Sequence, residues 1–369
     1  MKSVKSTLYL IIPVVSFLFL SFCKTEKLPE LKIDVSSSQS EKIAVLDKWL
    51  QNLEEDRKFN GGVLIIQNGE VKLKKAYGFT DASLSQKLGS HSMFRLASLS
   101  KQFTAMGHLI LMENGKLDLD DLISDYIPEI PYKDVKIRHL LTHTSGIPDN
   151  YIGLYEKKSE EIGILTNEKA VNLVIEEAAE GKKPNEEYSY SNTGFIIAAR
   201  IIELVSEQSF EEFLRDNLFK PAGMNETRVW NLLSEDKTFS NKTNSFRYRG
   251  KKAFELSPTN LDGVAGDGAV FSSLSDFVIW NEFLSGNQLV SNENLAEIYN
   301  TPTLLDGSKS TYGLGWGIGK SSMSHSGGWL GARTYIHRSR NGDRCVVILD
   351  NSASKIVQDI YQKIEEILD

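Results

Sequence analysis

Cysteine is nearly absent from this chain, with two in 369 residues, Cys23 and Cys345. A disulfide framework is therefore not what stabilises it, and a chain of this length can build a sizeable core without one. There is no long basic run and the formal net charge is −7, which argues against nucleic acid as a partner. Gly-x-Ser-x-Gly is missing, and with it the nucleophile elbow of an α/β-hydrolase. His-Glu-x-x-His is missing too. His139 and His143 stand four apart, but packing at a helix end accounts for them better than a metal does. The glycines of 313–319 do not spell Gly-x-Gly-x-x-Gly, so a dinucleotide loop has no support. Internal repeats are missing as well.

The N-terminus stands apart from the rest. Met1-Lys2-Ser3-Val4-Lys5 carries positive charge, 8–22 is almost wholly apolar, and Cys23 precedes a polar stretch. That pattern is a secretory signal, too short for a spanning helix. Cys23 after Leu20-Ser21-Phe22 resembles a bacterial lipoprotein signal, although Phe22 stands where a small residue is usual. Three outcomes compete: lipidation at Cys23, ordinary cleavage nearby, or an uncleaved anchor. Lipidation is favoured, because a cysteine ending a signal has little other reason to be there. The expectation is an exported protein of the bacterial cell envelope, attached to the membrane through its N-terminus. The serine-bearing segment 24–40 reads as a tether. Cys345, in the apolar run 345–349, reads as a small core residue.

Strand signals lie at both ends of the remainder and helix signals fill the middle. Residues 41–53 have helical spacing. Asn68-Gly69 between the apolar runs 62–66 and 71–77 marks a hairpin, as does Asn341-Gly342 between 332–337 and 344–349. A period-two pattern over 313–319 predicts a strand whose glycines suggest another backbone or a ligand lying close. A short strand is expected over 322–326. Helices are expected over 117–130, 137–143, 167–179, 191–206, 210–219, 275–284 and 356–368, and 226–252 reads as polar and irregular. The fold class this implies is α+β. One antiparallel sheet is built from both chain ends, about 41–93 and 310–369, and flanked by the first and last helices. A mainly helical lobe, about 94–309, is inserted between them.

Three short motifs carry chemistry. Ser98-Leu99-Ser100-Lys101 opens an amphipathic helix that stops at Asn114-Gly115. Three residues apart on one helical face, an amine comes within reach of a hydroxyl, beside backbone N–H groups with no intrahelical partner. A desolvated amine can activate a serine, and those N–H groups can stabilise an oxyanion. Ser-x-x-Lys alone is weak, since copies also start at Ser21, Ser234 and Ser352. The copy at Ser98 is set apart by its helix and by two matching motifs downstream. Tyr190-Ser191-Asn192 places a phenol and an amide on one side of an extended chain. The phenol suits proton relay and the amide suits holding a lysine or a carbonyl. His325-Ser326-Gly327-Gly328 ends a strand with small residues against which a substrate could pair, and the Gly328 N–H could serve an oxyanion.

Together and in this order, the three motifs resemble the serine β-lactamase and penicillin-binding-protein superfamily. The likeness is closer to its class C β-lactamase-related branch, which also holds D-aminopeptidases, D,D-carboxypeptidases and esterases. Further likeness lies in Leu140-Leu141-Thr142-His143-Thr144-Ser145-Gly146-Ile147, Phe219-Lys220-Pro221-Ala222-Gly223-Met224 and Tyr312-Gly313-Leu314-Gly315-Trp316-Gly317. The resemblance implies a serine hydrolase with a β-lactamase/transpeptidase-like fold that forms an acyl-enzyme without cofactor or metal. Ser98 would be the acylated nucleophile, with Lys101 and Tyr190 sharing proton transfer; which of the two is the resting base stays open. Asn192, His325, Ser326, Gly327 and Gly328 would bind substrate and oxyanion, through the N–H groups of Ser98 and Gly328. His325 stands where many members have a lysine, and a mostly neutral histidine is a poor anchor for a substrate carboxylate. A weak β-lactamase at most is expected, acting on another small or peptide ester or amide, with cell-wall fragments among the candidates. The alternative is a non-catalytic surface or cell-wall binding protein on the same fold.

Overall fold

The computed structural model describes residues 28–34, 36–236 and 238–368. The expected signal segment with Cys23, and part of the tether, lie outside the described residues. Leu31 opens the compact unit that carries every described helix and strand. Among the described residues no helix is long and apolar enough to cross a membrane.

The α+β architecture is as expected. Six strands form one antiparallel sheet in the order Glu70–Tyr77, Gly61–Gln67, Cys345–Asp350, Ala332–Ser339, Ser322–Trp329 and Gly317–Ile318. The chain ends meet at its centre, where Gly61–Gln67 pairs with Cys345–Asp350 in a register running from Gly61 opposite Asp350 to Ile66 opposite Cys345. Both strands are buried almost throughout, which is why their sequences read as continuous apolar runs. Asn68 and Gly69 both have positive φ (56° and 73°), as a two-residue hairpin turn of this twist demands.

The first helix, Gln39–Glu55, begins where Ser38 and Glu41 cap each other's backbone N–H groups. The last, Val357–Leu368, buries Ile360, Ile364 and Ile367. The middle of the chain holds helices at Lys101–Glu113, Asn167–Glu177, Asn192–Ser206 and Leu274–Phe283. Lys101–Glu113 is buried from Lys101 through Leu111, which makes it the central helix of the molecule. At Gly107 an added Cβ would come within 2.9 Å of Ile202, so the glycine lets the central helix lie tight against Asn192–Ser206.

Three expectations need correction. The helix expected over 117–130 is a single turn, Ile123–Tyr126, in an otherwise irregular segment. The strand expected over 313–319 is reduced to Gly317–Ile318, because 313–316 bends under the central helix: Gly315 has φ 73°, and a Cβ there would lie 2.8 Å from the Lys101 carbonyl oxygen. The close backbone that its glycines suggested is that of the central helix. Finally, the middle lobe is not free of strands. Phe94–Arg95, Val270–Ser272 and Arg228–Val229 make a small three-stranded sheet, and Phe246–Arg249 pairs with Lys252–Glu255.

Candidate active site

Ser98 lies in the tight turn Ala97–Ser100 that runs straight into the central helix. This turn is held from both sides. The Thr334 hydroxyl donates to the Leu96 carbonyl (2.7 Å), the Leu96 N–H donates to the Val270 carbonyl (2.9 Å), and the Val270 N–H donates to the Ser100 hydroxyl (3.1 Å). Ala97, directly before Ser98, has φ 50°, a left-handed conformation that a non-glycine residue keeps only where its surroundings impose it.

The Lys101 ammonium is fully buried. It reaches the Ser98 Oγ at 3.3 Å, the Asn192 Oδ1 at 2.8 Å and the Asp267 carbonyl at 2.8 Å. Burial pulls its pKa down to about 8, against the opposing pull of the Asp267 and Asp149 carboxylates. Its Nζ also lies over the Tyr190 ring, 4.9 Å from the centroid. The Tyr190 phenol hydrogen-bonds the Ser98 hydroxyl, and burial shifts its pKa upward, away from the phenolate. Ser191, not Asn192, caps the helix that follows: its Oγ accepts from the Gly194 N–H at 3.0 Å. That frees the Asn192 amide to accept from Lys101 and to donate to Asp149 (3.2 Å).

A cavity of about 230 Å3 opens over Ser98. Arg95, Asp262, Asp267, Tyr190, Gly328 and Trp329 are among its walls. Asp262 is fully engaged, accepting from Arg95 and from the Trp329 indole, each at 2.8 Å. Gly327 lies beneath, where an added Cβ would come within 2.5 Å of the Leu96 carbonyl and 3.1 Å of the Ser98 nitrogen. The strand can approach the nucleophile turn this closely only because residue 327 has no side chain. Gly317–Ile318 pairs only with Ser324 and Met323, so it leaves the outer edge of the strand from His325 to Trp329 uncovered beside Ser98. Ser98 and Gly328 line the same cavity.

A family model described as Beta-lactamase matches residues 46–368. The chain belongs to the beta-lactamase family. Within it, the chain is similar to a penicillin-binding protein of Bacillus subtilis (strain 168), with 34% identity over 340 residues covering 88% of this chain and 75% of that protein. It is 27% identical over 324 residues to a D-aminopeptidase of Brucella anthropi, covering 85% of this chain and 61% of that one. In fold it matches the octameric penicillin-binding protein homologue from Pyrococcus abyssi, with a TM-score of 0.73 at 24% identity over 88% of this chain and 77% of that one. It is a serine hydrolase of the beta-lactamase family.

Four of the residues singled out in the sequence, Ser98, Lys101, Tyr190 and Asn192, come together with Gly327 and Gly328. His325 and Ser326 are not among the walls of the Ser98 cavity, although the His325 ring lies 6.3 Å from that of Tyr190. With Tyr190 they line a second cleft. The His325 ring has both nitrogens engaged, Nδ1 with the Ser326 carbonyl and Nε2 with the Tyr312 hydroxyl, each at 2.7 Å. Only a protonated Nδ1 can donate to a carbonyl, so Nε2 accepts from Tyr312. Burial, with the Lys101 charge nearby, pushes the His325 pKa down to about 3. The other Ser-x-x-Lys serines that are described lead elsewhere: Ser234 donates to Glu211 and Ser352 to Asp350.

Sequence reasoning missed Asp149, Asp267 and Tyr312 as single residues. Asp267 stands in Gly266-Asp267-Gly268, and its backbone carbonyl holds Lys101. His143 was set down to helix-end packing. It is buried with φ 58°, its Nδ1 accepts from the Ser191 N–H at 3.0 Å, and its ring lies 4.2 Å from that of Tyr190. It fixes the segment that carries Tyr190. His139, by contrast, caps its own turn, accepting from the Lys136 N–H at 3.0 Å.

Proposed function

We propose that the chain hydrolyses an ester or amide of a small acyl donor through an acyl-enzyme on Ser98. The observation that carries this is the Lys101 Nζ, buried and held 3.3 Å from the Ser98 Oγ with its pKa drawn down to about 8. A substantial fraction of neutral amine is then present near physiological pH, so Lys101 can take the serine proton. Tyr190 keeps its own proton and works as a relay rather than as the resting base. The serine oxygen attacks the carbonyl, and the N–H groups of Ser98 and Gly328 receive the oxyanion. The leaving group departs with a proton from Tyr190, which regains one from the Lys101 ammonium, and water then hydrolyses the ester by the reverse path. Asn192 holds Lys101 in place.

The relatives named as a D-aminopeptidase and a penicillin-binding protein point to acyl donors derived from D-amino acids. The signal-like N-terminus and Cys23 support export and attachment to the cell envelope, where such compounds occur. The test is intact-mass spectrometry of the piece from Lys24 onward after exposure to a fluorophosphonate, with Ser98→Ala as control. One adduct on the wild type and none on the variant is the expected result. No adduct on a folded sample would overturn the reading and leave a binding role on the same fold.

A further inference from the structure

The second cleft, of about 340 Å3, shares Tyr190 with the Ser98 cavity. Tyr188, Tyr190, Tyr312 and Tyr335 are among its walls, with Gln358 at the start of the last helix and Ser324 and Ser326 from the sheet edge. Tyr188 and Tyr190 are 42% and 37% exposed, while the Tyr312 ring is buried behind them, 5.8 Å from that of Tyr188. No side chain in this lining is charged near neutral pH. Its one histidine is locked neutral between Tyr312 and the Ser326 carbonyl, and its phenols are shifted upward. The Ser98 cavity differs in kind, because Arg95, Asp262 and Asp267 stand in its wall.

We propose that this tyrosine-lined cleft receives the leaving group, and that it selects uncharged aryl or apolar leaving groups over those bearing a carboxylate. The proposal rests on the reading that Ser98 is acylated. A departing amine or alkoxide must collect a proton as its bond to carbon breaks. Lys101 is wholly buried and spends its contacts on Ser98, Asn192 and Asp267, so it does not reach the departing atom. Tyr190 hydrogen-bonds Ser98 and also lines the cleft. The proton drawn from Ser98 therefore reaches the leaving group through the Tyr190 hydroxyl, and the group departs into the cleft that Tyr190 lines. A ring stacks favourably on Tyr188 there. A carboxylate would lose water without gaining a cation.

The test uses phenyl and 3-carboxyphenyl esters of D-alanine, which share the acyl group and differ only in leaving-group charge. Wild type should favour the phenyl ester in kcat/KM by about tenfold or more. Gln358 is an exposed part of this lining, so Gln358→Lys places a cation there and should narrow that preference several-fold, chiefly by raising kcat/KM for the 3-carboxyphenyl ester. Tyr188→Ala should slow the phenyl ester more than the ethyl ester of the same acid. Equal turnover of the two aryl esters by wild type would overturn the proposal, as would an equal effect of Tyr188→Ala on aryl and ethyl esters. A protein labelled at Ser98 that shows no such discrimination loses only the subsite. A protein that is neither labelled nor active loses the acyl-enzyme reading, and the subsite with it.

Discussion

Lys101 has the two properties a base needs here, a lone pair available near neutral pH and a fixed distance to its serine. Both come from burial: water is stripped from the ammonium, which lowers its pKa, and the Asn192 and Asp267 oxygens hold it still. This sets the sign of the pH dependence. If neutral Lys101 is the active form, kcat/KM should rise with pH through an inflection near 8 and level off above it. Lys101→Ala should lower kcat by about 10²–10⁴-fold and remove that inflection. Steady-state pH profiles of wild type and variant check both points, and an inflection that survives in Lys101→Ala would assign it to another group. The pairing of Ser98 with Lys101 was legible in the sequence, because a separation of three residues fixes it. The charge state of His325 was anticipated only in part. Its neutrality could be argued from an ordinary histidine pKa, but its contact with Tyr312, thirteen residues earlier, is one that no local pattern announces.

At the level of elements, the nucleophile turn is a strained segment held in place by its neighbours. Ala97 keeps φ 50° because Thr334, Val270 and the strand through Gly327 fix the backbone around it. Gly327→Ala should push that strand away: its Cβ would lie 2.3 Å from the Thr334 Oγ1 and 2.5 Å from the Leu96 carbonyl. The expected outcome is a loss of about 1–3 kcal/mol of stability and a fall in kcat larger than the rise in KM. Denaturant melts and steady-state kinetics read the two effects, and unchanged values would show that the turn is not clamped. Elements with a long period were readable: Gln39–Glu55, Asn192–Ser206 and Val357–Leu368 lie within a few residues of their expected bounds, and both Asn-Gly hairpins are present. The failures share a cause. Strands as short as Phe94–Arg95 and Arg228–Val229 are too brief to carry a period, and their partners in Val270–Ser272 are distant in sequence. Residues 313–316 alternate as a strand would, but the central helix claims the space and bends them.

In the molecule as a whole, a sheet closed by both chain ends holds the strand edge on one side of Ser98, and the inserted lobe holds Tyr190 and Asn192 on the other. The placement of strand and helix signals along the chain made this closure legible. The polar groups trapped at the junction were not legible, and they set how the fold responds to acid. His108, His139, His143 and His325 are all buried. Burial lowers each pKa, to about 4 for His108 and His139, to about 3 for His325, and well below the usual value for His143. As pH falls below 6.5 the unfolded chain takes up a proton at each site while the native state does not. Stability is therefore lost on acidification, by up to about 1.4 kcal/mol per pH unit per histidine until its native pKa is reached. Asp350 works the other way. Its buried carboxyl is raised to about 6, so the native state takes up its proton before the unfolded chain does, which offsets about one histidine between pH 6 and 4. Burial also lowers His337 and raises the Glu203, Asp267 and Asp276 carboxyls, but the unfolded chain's histidines begin to take up protons near 6.5, ahead of the carboxyls, so the Tm should fall as the pH drops from 7 toward 5. The His108 Nδ1 donates to the Thr104 carbonyl, and its Nε2 is buried without a partner. His108→Leu removes one titrating site far from substrate and should flatten the slope. Thermal melts across that range decide the matter. A Tm that holds level from pH 7 to 5 would mean that the histidines accept protons in the native state, and with a protonated His325 the second cleft would no longer be uncharged.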